Sequence, residues 1–387
     1  MGKRTKKQHY IAQCLLRIFV DGNDIYECIT TTNRAYETSF ENSMCRKDSY
    51  ESSFFVDNHL EKFFADYIDG DTANLNRKII LMLNDDSCDL GQVYSTFLDN
   101  LHLYLVNYYK SITSLVRFST KDSDIGDYSI TTMLSRILNE NYIKRLCMIF
   151  RKGYKFSIIK SEKGDFILCD QYLASCSTKY KGMYSNISSR DIGIRDTIIL
   201  FPLNCYFYVI FYDNEINDFD LVEDKINCLN EEQVKQINNI IYSNAYQKVV
   251  SSKKDNLDNL EKQNSSFGDA TAMIVYKDGH SISHRVKSEI FFNKEQVEFY
   301  KYYQTLEWGN PTYKKCKVNS KCPCGSNIKY KKCCKNKIDE CLRIFNNQQL
   351  NRNILINEGL GMEEPVRMPG YVGQEIRELV QKERSKQ

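Results

Sequence analysis

The sequence predicts an α+β protein, with a helical N-terminal half packed with an antiparallel sheet and a small cysteine-rich module near the C-terminus. Three observations carry this prediction. Apolar residues recur at helical spacing from about residue 58 to residue 150. β-branched and aromatic runs take over after residue 154. The stretch CPCGSNIKYKKCC, Cys322 to Cys334, then holds four of the chain's fifteen cysteines.

The chain begins with HYIAQCLLRIF, a short helix or turn, followed by a turn at Asp21-Gly22 and a strand, DIYECIT. Residues 33–52 are polar and read as irregular. Asn58-His59-Leu60-Glu61 resembles a capping box. Behind it Leu60, Phe63, Phe64, Tyr67 and Ile68 form one apolar helical stripe. Two more helical patterns follow, in YSTFLDNLHLYLVNYYKSITSLV and TTMLSRILNENYIKRLCMIF. The period then shortens. KFSIIKSEKGDFILCDQYLA reads as strand, turn at Glu162–Gly164, strand, and DTIILFPLNCYFYVIFYD as two strands pivoting at Pro202-Leu203-Asn204. EEQVKQINNIIYSNAYQKVV reads as a helix closing a first domain at residues 1–250. Residues 251–269, polar and poor in large apolar side chains, are expected to be a linker. A small connector at 270–313 contains a hairpin turning at Asp278-Gly279, and the cysteine module occupies 314–337. A charged helical tail, interrupted by a Gly/Pro break at 359–370, fills 338–387.

With 387 residues, 42% of them hydrophobic, the chain can bury a substantial core. The formal net charge of +3 excludes a general polyelectrolyte. The charge is uneven, however: residues 312–337 carry nine lysines and no acid, so the remainder is net acidic. A basic segment on an acidic body implies a local docking surface rather than a nucleic-acid coat. Gln13 and Arg17 interrupt the first apolar run, which is unlike a signal peptide, and no run is long enough for a membrane span. The remaining cysteines lie scattered in apolar runs, as buried thiols do in the reducing cytoplasm.

Cys322, Cys324, Cys333 and Cys334 have the identity and spacing of a four-thiolate site for one structural Zn²⁺. Pro323 fixes the backbone between the first pair, and Gly325 and Ser326 allow N–H groups to turn toward sulfur. Lys321, Lys329, Lys331, Lys332 and Lys335 offset the charge of four thiolates on one dication and favour the ionised thiol. The bland alternative is a redox pair of Cys333 and Cys334; Cys316 and Cys341 lie outside the pattern. Filled by four sulfurs, such a site is structural, with no position open to substrate. The stretch resembles the SEC-C motif, a zinc-binding knuckle found at the end of the bacterial protein-translocation motor and appended to many other proteins. The match runs through Cys322-Pro323-Cys324-Gly325-Ser326 and Lys329-Tyr330-Lys331-Lys332-Cys333-Cys334 and departs at Asn327, where the family usually has Gly, and at Ile328. Asn accepts positive φ better than most residues, so the turn is expected to survive. The resemblance implies binding to a protein or to the ribosome, and the lysines suit an RNA backbone as well as an acidic protein.

His9, Arg17, Glu61 and Asp170 are the polar groups set in otherwise apolar segments of the first domain. Gathered together, they would supply a metal and phosphate site for hydrolysis, as in a metal-dependent nuclease. Each also has a structural reading: His9 solvated beside the basic N-terminus, Glu61 in a helix cap, Asp170 capping a strand or bridging to Arg17. The segments around them resemble the family called domain-of-unknown-function 4238, matched at His9, Tyr10, Arg17, Phe19, Glu61, Asp170, Pro202 and Leu203. Ala12 and Tyr172 replace prolines of that pattern, and Ile68-Asp69 shifts its second helical acid. The resemblance implies an architecture and no reaction. His280 and His284 lack the intervening Glu of a metalloprotease helix, and the Asp122, Asp124, Asp127 run lacks the closing Glu of a calcium loop. No phosphate-cradling glycine loop or GxSxG is present. The sequence therefore points to a modular cytoplasmic protein with a zinc module that docks to a partner; the alternative is a hydrolase in the first domain.

Overall fold

The computed structural model describes residues 7–51, 57–119, 137, 140–177, 197–212, 219, 221–258, 260–261, 270–275, 281–286, 313 and 315–339. The α+β reading holds. The centre is a five-stranded sheet of order β10-β5-β9-β8-β7, formed by β5 (Lys155–Ser161), β7 (Ala174–Ser177), β8 (Thr197–Pro202), β9 (Phe207–Tyr212) and β10 (Ile226–Leu229). The expected β8–β9 hairpin is present, with Phe201 opposite Val209. The sheet is mixed, not purely antiparallel, because β10 runs parallel to β5. A second, antiparallel sheet of order β3-β2-β11-β6 joins β2 (Ile25–Ile29) and β3 (Arg34–Thr38) to β11 (Lys248–Ser251) and β6 (Leu168–Cys169). The two strands expected after residue 154 are thus split between the two sheets.

Every residue of β8 and β9 is buried, which requires cover on both faces. On one face lie α4 (Leu90–Asp99), α5 (Leu101–Ser119) and α6 (Glu140–Gly153). Phe97 and Phe150 from these helices meet Phe201 and Phe211 of the sheet at centroid distances of 4.8–6.0 Å. Such edge and tilted contacts add to the area term of burial. On the other face Tyr208 meets Phe19 of α1 (Gln13–Val20) edge-on at 6.2 Å. Asp21 ends α1 in the left-handed region, φ 51°, where the predicted turn falls. α7 (Glu231–Asn244) starts with a true capping box, Asn230 with Gln233.

Several expectations are corrected. Asn58 makes no side-chain cap, so the Asn58–Glu61 box does not form. The helix it precedes runs as α2 (His59–Phe64), a π segment (Ala65–Asp69) and α3 (Gly70–Leu83). The wider π turn shifts the phase of the buried stripe. Leu60, Phe63, Phe64 and Ile68 remain buried, Tyr67 is turned out to 39% exposure, and Asp69 is turned in. Residues 33–52 are not irregular: they hold β3 and β4 (Cys45–Lys47), the latter paired with β1 (Lys7–His9). The closing helix stops at Asn244, and Lys248–Ser251 is a strand. The expected linker begins later than residue 251, since α8 (Asp255–Asp258) buries Leu257. The hairpin of the connector is present as β12 (Ala270–Val275) and β13 (Ser281–Val286). Asp278-Gly279, His280, the Asp122–Asp127 run and the tail beyond Asp339 lie outside the described residues. No helix of the described residues is long and apolar enough to cross a membrane.

Candidate metal centre

The cysteine module is built on a tight hairpin. Lys321 and Lys329 form an antiparallel bridge, and the Cys322 N–H donates to Ile328 O at 2.8 Å. Below it Tyr330 N–H donates to Ser320 O and Lys331 N–H to Val318 O. The chain reverses through Gly325 at φ 82° and Asn327 at φ 59°, both left-handed. Asn327 therefore adopts the conformation expected of it where the family has Gly, and it also accepts from Lys321 Nζ at 3.2 Å. A 3₁₀ turn, Tyr330–Lys332, delivers Cys333 and Cys334 back to the hairpin, and Ile338 N–H bonds Cys334 O as a helix begins. Only Cys322, Tyr330, Cys334 and Ile338 are buried apolar groups among the described residues of this segment.

The four Sγ atoms lie within 4.8 Å of one another, with Cys333 3.5 Å from Cys324 and 3.7 Å from Cys334. Four sulfurs at the Zn–S distance of about 2.3 Å around a tetrahedral ion stand about 3.8 Å apart, so the residues fit such a centre. Ser326 supports it: its Oγ is 3.2 Å from Cys333 Sγ. The hydroxyl and then the N–H of Ser326, followed by the neighbouring thiols, hold the Cys324 thiol down to about 6. Metal ligation needs the thiolate, which these contacts favour at Cys324; the neighbouring Cys333 thiol is raised instead, the pull of Ser326 being outweighed by proton sharing with Cys324 and Cys322. The described cysteines carry no disulfide, and Cys316 turns aside to Ser320 Oγ at 3.1 Å. Among the described residues no other group of His, Cys, Asp or Glu is placed to share an ion.

The other predicted residues divide into two places. His9 adjoins Glu61 directly and Arg17 only through Phe40. Its backbone N–H donates to the Glu61 carboxylate, and its Nε2 lies 3.2 Å from Phe40 O. The Phe40 ring carries the Arg17 guanidinium at 4.3 Å, where Arg17 pairs with Glu41 at 3.2 Å. Asp170 stands elsewhere, fully buried, accepting from the N–H groups of Tyr246, Gln247 and Lys248 at 2.7–3.0 Å. It caps the start of β11, one of the structural roles open to it from the sequence.

Asp69, the shifted helical acid of the family pattern, enters the His9 neighbourhood together with Lys110, which the sequence does not single out. Lys110, 1% exposed, donates to both carboxylate oxygens of Asp69 at 2.8 Å. Its position in the apolar run LYLVNYYKSITSLV of α5 was the available signal. Burial pushes the Glu61 carboxyl up to about 7, against the pull of Lys110, and its Oε2 is buried with no hydrogen-bond partner. Burial also lowers His9, which leaves that imidazole neutral near neutral pH. The Asp69 carboxyl is raised by burial too, against the pull of Lys110, so burial works on Glu61, His9 and Asp69 alike toward their neutral forms.

The molecule so described is an α+β domain carrying a four-cysteine metal-binding module. A family model described as a protein of unknown function (DUF4238) matches residues 7–95 and 96–255, and a SEC-C motif matches residues 319–336. The first match covers well over half of the chain, which belongs to the DUF4238 family. No curated protein and no solved structure matches it.

Proposed function

We propose that this chain is a cytoplasmic modular protein whose C-terminal module, folded around one Zn²⁺ on Cys322, Cys324, Cys333 and Cys334, docks onto an acidic surface of a partner protein. Zinc is the ion favoured by four thiolates in tetrahedral disposition, and the closed set makes it structural. The observation that carries the docking reading is the surface of the hairpin. Lys321, Lys329, Lys331 and Lys332 are exposed, and so are Val318 and Ile328, at 45% and 49%, one on each arm. Exposed aliphatic groups among lysines suit a protein surface of acids and apolar residues. An RNA surface favours aromatic stacking platforms, and the Tyr330 ring is buried here.

The test is fluorescence anisotropy of the full chain with two probes, a labelled Glu/Leu-rich peptide and a labelled single-stranded RNA. The peptide should bind; Ile328→Ser and the pair Lys331→Ala/Lys332→Ala should each weaken it, and Cys333→Ser should abolish it. RNA bound more tightly than the peptide, with no response to Ile328→Ser and a steep loss with salt, would replace the protein partner by a nucleic acid.

A further inference from the structure

A cleft of about 730 Å³ opens between α1, α3, the end of β5 and the β8–β9 turn, remote in sequence from the cysteine module. Its size falls in the range of small-molecule sites. Three cations line it, each from a different element: Arg17 of α1, Arg77 of α3 and Lys160 of β5. Ile18, Ile80 and the ring of Tyr206 supply an apolar wall. Asp21 and Glu162 also lie on the lining, leaving an excess of one positive charge.

The walls are fixed by buried hydrogen bonds. Cys205 N–H donates to Phe19 O at 2.7 Å, which ties the turn to α1. Asn76 Nδ2 donates to Leu203 O at 3.3 Å, tying it to α3, and Ser161 N–H donates to Tyr206 O at 2.8 Å, tying it to β5. A Cβ at Gly164, φ 66°, would stand 2.7 Å from the Tyr206 ring, so this glycine lets the ring lie against the backbone. The cleft is preformed.

Its cations are engaged only loosely. Arg17 bonds Glu41 at 3.2 Å and lies on the Phe40 ring at 4.3 Å, and the half-buried Lys160 bonds Glu162 at 3.3 Å near the Phe207 ring. Ion pairs this open to solvent contribute little and exchange readily, while the rings leave the charged edges free to bond a ligand. Arg77 bonds only the amide oxygen of Asn74, at 2.9 Å, among the described groups. Guanidinium forks match phosphate oxygens in pairs, and a flat ring finds a partner in Tyr206. We infer that this cleft binds a small phosphorylated molecule with an aromatic body, a nucleoside phosphate, with Arg77, Arg17 and Lys160 on the phosphates and Tyr206 against the base.

The experiment is calorimetric titration of the full chain with ATP in the absence of divalent ions, and with adenosine as the phosphate-free control. Three variants are compared: Arg77→Ala, Arg17→Ala and the module variant Lys329→Ala/Lys331→Ala/Lys332→Ala. ATP should bind at a single site and adenosine should not. Arg77→Ala and Arg17→Ala, both at exposed positions, should each weaken ATP by about tenfold or more, the loss of one charge-assisted pair. The triple lysine variant should bind as the native chain does. No heat with ATP overturns the inference. So does ATP binding that survives Arg77→Ala and disappears in the triple lysine variant, since the polyphosphate would then be on the zinc module. The docking reading is untouched by either result, because it is measured with peptide on Ile328.

Discussion

Through β8 and β9 the N-terminal body buries all six positions of each strand, whereas the described part of the C-terminal module from Lys315 to Asp339 buries four apolar groups and leaves Val318 and Ile328 in water. Two of the module's four buried groups are cysteines whose sulfurs point at each other. The body is held by area: helices and sheets meet through Phe97, Phe150, Phe201 and Phe211, each ring touching several others. The module has too little area to offset the entropy of ordering its chain, and its four clustered thiols are placed to hold a metal ion in place of a core. The difference teaches where each region is vulnerable. One fails when a cavity or an unpaired charge is introduced, the other when a ligand is withdrawn.

Withdrawing the metal should therefore separate the two regions most sharply. Chelation under reducing conditions, or Cys333→Ser, should unfold the module, since structural zinc supplies on the order of 10 kcal/mol of folding free energy to such units. The body should keep its thermal midpoint. Metal analysis should give one equivalent in the native chain and none after chelation, and the four thiols should become open to alkylation. A body that melts together with the module would break the comparison, because it would mean that the two share a core.

The next effect belongs to the body alone. Lys110→Met leaves the Asp69 carboxylate buried without its partner, which should cost about 3–5 kcal/mol in denaturant unfolding. Adding Asp69→Leu should restore most of that loss, because the cost lies in the orphaned charge and not in the absence of the pair. A double variant as unstable as the single one would show instead that the pair is a net stabiliser of the π segment. Metal content should be unchanged throughout.

The same contrast explains what could be read from the sequence. The module is specified by contacts within a few residues: ligand identities, Pro323, Gly325 and an Asn327 able to take φ 59°. All were visible as spacing and residue type. The β8–β9 hairpin was legible for a related reason, since its pivot and both its strands are contiguous. β3 was not, because it is the edge of its sheet and none of its residues is fully buried, so its RAYET segment carries no apolar alternation. The turning out of Tyr67 and the turning in of Asp69 depend on a π segment, a change of pitch with no signature in an otherwise regular stripe. The Asp69–Lys110 pair spans forty-one residues and is set by tertiary packing. Glu61 was recognisable as a polar group in apolar company, but its partner, the N–H of His9, appears only when β1 is laid across α2.

Glu61 supplies the smallest effect and the most specific one. Its carboxyl titrates at about 7 in the folded chain, above the ordinary 4.5, chiefly through burial; Asp69 adds to the rise, while Lys110 and the His9 N–H oppose it. Below pH 4.5 folded and unfolded chains are both protonated there, and the side chain takes nothing from stability. As pH rises toward 7 the unfolded chain gives up a proton that the folded chain keeps, so the body loses on the order of 3 kcal/mol across that window. His9, lowered by burial, works in the opposite sense: its cost to the fold is present at low pH and fades as pH rises toward its ordinary value of 6.5, above which it changes nothing. The difference between native chain and Glu61→Gln isolates the carboxyl from that second titration. Gln keeps the acceptor for the His9 N–H and removes the ionisation. The variant should match the native chain near pH 4.5, exceed it by about 3 kcal/mol at pH 8, and leave the thiols of the module as protected as before. Unfolding curves that stay parallel from pH 4.5 to 8 would mean that the Glu61 carboxylate is solvated in the folded body, and that α2 does not seal it against β1.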